Sequence, residues 1–170
     1  MGSSFSSGIS NTNPSTILIA LILIILLVLF VFWLVNKQGT NFSGESSTSQ
    51  EVPSPTLPPG VNPVGQVNAS LNRNNTALTY SAFLRDSNDP ITQAHFHRGE
   101  RGVAGPIVKT LNFVQENGNW VIKGTWSNTD PIEPLTPALV QDLLQNRIYI
   151  NWHTSANPDG ESRGQLYNRG

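Results

Sequence analysis

No cysteine occurs among the 170 residues, which excludes disulfide staples, thiolate metal sites and a cysteine nucleophile. Any metal must therefore be held by imidazole, carboxylate or carbonyl donors. Surplus charge is missing as well: 10 Lys/Arg face 11 Asp/Glu, and residues 65–170 carry nine of each. Without a basic excess, phosphate-driven nucleic-acid binding is excluded, so no nucleic acid is expected as a partner. The chain has no Ser-His-Asp order, no carboxylate pair in a suitable setting and no phosphate-cradling glycine loop. Hydrolytic and nucleophilic catalysis are left without a candidate site, and no catalytic residue is assigned. Histidine is scarce, with three in all, and two of these stand two residues apart in "AHFHRGERGVAGPIV".

The long hydrophobic run is present once. "ILIALILIILLVLFVFWLV", residues 17–35, has 19 residues and no charge. As a helix it spans about 29 Å, the thickness of a hydrocarbon core. A helix apolar all round has no place inside a soluble domain this small. The run lacks the positive n-region and A-x-A-like site of a cleaved signal peptide, so it reads as an uncleaved anchor following a flexible tail, residues 1–16.

Orientation rests on weak signals. No Lys or Arg precedes the run, and Lys37 after it favours a cytoplasmic C-terminal side. Sequons at Asn41, Asn68 and Asn74 favour the opposite, making those residues glycosylation candidates. The start "MGSSFS" fits a myristoylation pattern with Gly2 as acceptor, and also fits a plain Ser/Gly tail. Sequons and acylation pattern agree on a single-pass protein whose C-terminal domain is extracytoplasmic, at a cell surface, in a periplasm or on a virion envelope.

Residues 36–65, "NKQGTNFSGESSTSQEVPSPTLPPGVNPVG", are polar and then Pro-rich, with no hydrophobic period. Such a segment cannot bury enough apolar surface to fold and reads as a disordered stalk. Beyond it, residues 66–168 show short alternating runs bounded by turn residues. This pattern predicts an all-β antiparallel sandwich or barrel of about seven strands. Strands are expected at Gln66–Leu71, Ala77–Leu84, Ile91–His97, Ile107–Val114, Asn119–Trp126, Arg147–His153 and Ser162–Tyr167. "QENGNW" carries an Asn-Gly hairpin turn. "LTPALVQDLL" offers a Thr136 cap, Pro137 at the first helical position and Leu139, Leu143 and Leu144 on one face, so one short helix is expected.

The succession "AHFHRGERGVAGPIV", "GNWVIKGTWSN" and "LTPALVQDLLQNRIYINWHTSANPDGESRGQL" resembles the CHRD domain first named in chordin. Its blocks are an A-H-x-H strand, a G-P-[IV] turn, an L-T helix, a Y-[IV]-N-x-H-T strand and a G-E-x-R-G-Q close. The resemblance covers roughly Gly65 to Tyr167. Ser162 stands where the family usually has an aliphatic residue, pointing to a less buried last strand, and Trp152 replaces a frequent Val. The resemblance implies a surface or secreted module for which no shared catalytic reaction is established. Growth-factor binding by chordin runs mainly through cysteine-rich modules absent here, and is not carried over.

On a strand, His95 and His97 leave one face, and His153 in "IYINWHT" shares a face with Tyr149 and Asn151 while Ile148, Ile150 and Trp152 turn away. If the two strands are neighbours, the three imidazoles form a set suited to Zn²⁺ or Cu²⁺ with an open position. The alternative is structural: the rings bond to backbone, to Glu161 or to one another. Glu161 and Arg163, with Tyr149 and Asn151, are candidates for orienting an imidazole from behind, or Glu161 and Arg163 form a plain ion pair. Three function classes follow. The sequence favours a non-enzymatic surface module that binds a protein or glycan, or serves a structural role. An extracytoplasmic Zn/Cu-binding domain is the alternative, and a copper redox enzyme on the same site the third.

Overall fold

The computed structural model describes residues 13–35 and 39–170 and forms two compact units, residues 1–38 and 39–170. The Gly2 candidate lies outside the described residues.

The first unit is helix α1, Pro14–Val35. It begins three residues before the expected anchor, because Pro14 suits a first helical position and Asn13 caps it, its side-chain oxygen accepting from Ser15 N at 3.1 Å. Its window Pro14–Trp33 has a mean hydropathy of 3.3 and none of it is buried. By length and composition α1 is a candidate membrane span.

The second unit is the expected antiparallel β fold, with ten strands rather than about seven among the described residues: β1 Thr40–Ser47, β2 Val64–Leu71, β3 Ala77–Arg85, β4 Ile91–Arg98, β5 Ile107–Thr110, β6 Phe113–Glu116, β7 Asn119–Ser127, β8 Ile148–Thr154, β9 Ser162–Gln165 and β10 Tyr167–Asn168. They form one curved sheet in the order β5-β4-β8-β9-β1-β2-β3-β7-β6, with β10 also on β1.

The principal correction is β1. The described part of the expected stalk, residues 39–65, is not disordered throughout: Thr40–Ser47 is an interior strand, paired with β2 along its whole length and with β9 and β10 on its other edge, while residues 36–38 lie outside the described residues. A 3₁₀ turn, Thr48–Gln50, follows, and Glu51 beyond it is buried. The strand escapes a search for hydrophobic alternation because its inward residues are Phe42, Gly44 and Ser46. Only glycine fits the middle position, where a Cβ on Gly44 would lie 2.0 Å from the Gln165 carbonyl oxygen.

The expected strand Ile107–Val114 is two strands. Leu111 turns inward, 2 % exposed, and its N–H bonds to Ala94 O, so the chain passes from β5 at one end of the strand order to β6 at the other. The β6–β7 turn is as expected, with Asn117 and Gly118 both at positive φ (50° and 79°). Helix α2, Pro137–Leu144, starts as its sequence predicts: Thr136 Oγ1 accepts from Leu139 N at 3.3 Å.

Phe96 of β4 ties the two arms of the sheet together, edge-on to Tyr80 of β3 (5.1 Å between centroids) and stacked on Trp126 of β7 (6.0 Å). Each such pair contributes ~0.5–1.5 kcal/mol beyond the area it buries. Ser162 is fully buried, contrary to the expected less buried last strand, and β8 is buried on both faces rather than one. The reasons differ: Ser162 lies opposite Trp152 on the core face, whereas the polar face of β8 is covered by loops that Arg163 and His153 hold through Val103 O, Glu100 O and Pro158 O.

Candidate metal centre

Strands β4 and β8 are neighbours, with His95 opposite Asn151, His97 opposite Tyr149 and Gln93 opposite His153. Alternation then delivers His95, His97 and His153 to one face, all three buried. One ring nitrogen from each lies within 4.8 Å of the others.

The hydrogen bonds settle the tautomers. His97 Nδ1 is 2.9 Å from Gly105 O, and His153 Nδ1 is 2.9 Å from Pro158 O. A carbonyl only accepts, so both Nδ1 atoms carry the proton and both Nε2 atoms present a lone pair in the neutral ring. His153 Nε2 accepts from His95 Nδ1 at 3.1 Å, whereas His97 Nε2 is buried with no partner among the described residues. An orphaned buried acceptor costs ~1–3 kcal/mol unless something fills its place. Four-coordinate Zn²⁺ with Metal–N of ~2.0–2.1 Å separates its nitrogens by about 3.3 Å, so small ring movements would close this set on an ion.

Burial, then mutual repulsion from His153 and His97, pushes His95 down to about 4. Burial likewise lowers His97 and His153, against the raising effect of their bonds to Gly105 O and Pro158 O. All three rings are neutral at pH 7, the form a metal requires.

Behind the rings lies a second layer. Tyr149 stacks on His97 (5.0 Å, 14°), and its hydroxyl accepts from Gly105 N at 3.1 Å, fixing the residue whose carbonyl holds His97. The Arg163 guanidinium sits 3.6 Å from the Tyr149 ring centroid and donates to Val103 O and Glu100 O, clamping the glycine-rich loop over the site. Glu161 does not touch a histidine and makes no ion pair with Arg163. It accepts from Thr154, Asn157 and Asn88, bracing the turn whose Pro158 carbonyl holds His153. Asn151 lies between, donating weakly to Asp159 O at 3.4 Å.

Two members of this layer were not among the candidates. Gln165, on the same face of the expected last strand as Glu161 and Arg163, donates to Gly99 O and Asn146 O, and Glu51, from the supposed stalk, is buried beside Arg163 and Asn151. Burial raises Glu51 to about 8 despite the nearby Arg163 charge. No residue pattern around Glu51 signals this, since its partners come from two strands, β8 and β9, 100 and 112 positions away. Among the glycosylation candidates, Asn41 and Asn68 are exposed on β1 and β2, with Asn41 opposite Ser70 and Ser43 opposite Asn68, and Asn74 is exposed on the β2–β3 turn.

The antiparallel sheet thus gathers A-H-x-H and N-x-H-T on its polar face under a glycine-rich loop. The chain matches the model of the CHRD domain over residues 42–166, well over half its length, and belongs to that family. The match begins inside β1, in agreement with the structure and ahead of the Gly65 boundary read from motifs. No curated protein and no solved structure matches the chain.

Proposed function

We propose that this chain is a single-pass membrane protein that displays its CHRD domain outside the cytoplasm, and that the domain is a non-enzymatic binding module whose ligand is one Zn²⁺ or Cu²⁺ ion. The observation that carries the reading is the convergence of three buried imidazoles with one ring nitrogen of each within 4.8 Å of the others, His97 and His153 held at Nδ1 by carbonyls and His97 Nε2 left without a partner among the described residues. The donor set is all nitrogen, which favours Cu²⁺ over Zn²⁺ in intrinsic affinity. Helix α1 supports the anchor, and the exposed sequons support the outward orientation.

The test is calorimetric titration of the metal-stripped full-length protein in detergent with Zn²⁺ and Cu²⁺, beside His97→Ala. One-to-one binding by the wild type that disappears in the variant is the expected result. Equal uptake by both proteins, or uptake by neither, overturns the assignment and returns the histidines to a purely structural role. Copper-dependent turnover of a redox substrate by the loaded protein would replace a binding module with an enzyme.

A further inference from the structure

The three imidazoles are not equally enclosed. His97 lies under Tyr149 and the Gly105 peptide, and His153 lies under the turn that ends in Pro158. His95 has no such cap: its ring bonds only to His153, and the residue borders a surface cleft of about 370 Å³ between β4 and the β5–β6 corner. Gln93 forms the near side of this cleft, and Thr110 and Asn112 the far side. Thr110 is directly opposite His95 in the β4–β5 ladder, and Glu133 pins it by accepting from its N–H (2.9 Å) and its hydroxyl (2.8 Å), so the far wall is held in place. Among the described residues Gln93 and Asn112 make no side-chain hydrogen bond, which leaves two carboxamides to donate to a guest.

We infer that this cleft is the route to the ion's open coordination position and a binding site for a small molecule with an anionic donor group, such as a carboxylate. The inference rests on the metal reading above. The ion takes the anionic donor, the Gln93 and Asn112 amides hydrogen-bond it, and the size of the cleft suits a small molecule and excludes a folded partner. Water or hydroxide fills the position when no such molecule is present.

Azide, a small anion that binds metals directly, serves as the probe, and Co²⁺ serves as a visible reporter of four-coordinate geometry. Full-length protein in detergent is loaded with Co²⁺ and titrated with azide while the visible band is recorded, for wild type, Asn112→Trp and Gln93→Trp. Both positions are exposed, so the bulky indole narrows the cleft without entering the core. The expected result is a saturable one-to-one shift of the wild-type band, with azide affinity at least tenfold weaker in both variants and the azide-free band unchanged. A normal Co²⁺ band that azide does not move, or variants that bind azide as well as wild type, overturns the cleft and leaves the metal site standing. Absence of any Co²⁺ band removes the metal reading and the cleft proposal together. Far-ultraviolet circular dichroism verifies the fold, and either variant alone is sufficient if the other is unstable.

Discussion

Gly44→Ala is the sharpest test of where the domain begins. The added Cβ would stand 2.0 Å from Gln165 O, in the seam where β1 meets β9 and β10. A carbon–oxygen contact tolerates no less than about 3.3 Å, so the backbones must part by more than about 1 Å. The Phe42–Asn168, Ser43–Tyr167 and Ser47–Arg163 pairings lie on that edge and would loosen with it. Overpacking of this kind costs ~1–3 kcal/mol and each of the three weakened pairings ~1 kcal/mol more, giving about 4–6 kcal/mol in all. For a unit of this size the loss corresponds to a fall in Tm of at least about 10 °C. Thermal unfolding followed by near-ultraviolet circular dichroism reports it, since Trp126 and Trp152 are fully buried. Ser49→Ala, an exposed change five residues on, is the control. If Gly44→Ala moves Tm by less than about 2 °C, residues 40–47 are a linker after all and the sheet order is wrong.

Tyr149→Phe keeps the ring on His97 but removes the hydroxyl that holds Gly105 N; metal affinity should fall about tenfold by calorimetry, and an unchanged Kd refutes a positioning role. For the metal-free protein, His95 has a folded pKa of about 4 against an ordinary 6.5, so its contribution is fully present above pH 6.5 and is lost as pH falls toward 4. Urea titrations should show a drop on the order of 3 kcal/mol across that window, and a flat profile contradicts the buried neutral ring. Glu51 carries the opposite sign: raised to about 8, it contributes fully below 4.5 and loses that contribution as pH rises through 8. Glu51→Gln should be more stable than wild type at pH 9 and nearly equal at pH 4, and a variant that is less stable at pH 9 refutes the buried protonated carboxyl.

Local pattern carried much of this molecule. An uncharged run of the right length marks α1, period-two alternation marks most strands, Asn117-Gly118 marks its hairpin, and Thr136-Pro137 marks the start of α2. These are decided by neighbours in sequence, through transfer free energy and backbone sterics, and so can be read without a fold. The pairing of His95 with His97 on one face is of the same kind, since a strand's alternation alone requires it.

Only the tertiary structure could decide what depends on distant chain. β1 is a strand because the Gln165 carbonyl presses against Gly44 and β2 supplies the ladder, not because its own residues are apolar. Leu111 breaks a continuous β pattern because Ala94 O holds its N–H and the core takes its side chain. His153 joins the other two rings through the β4–β8 register, and their tautomers are set by Gly105 and Pro158, whose carbonyls reach them only because Tyr149, Arg163 and Glu161 hold the loops down. The sequence by itself determined the apolar helix, the β class and which residues could bind an ion. Long-range backbone pairing and burial decided that they meet, because those forces act between segments that share no local signal.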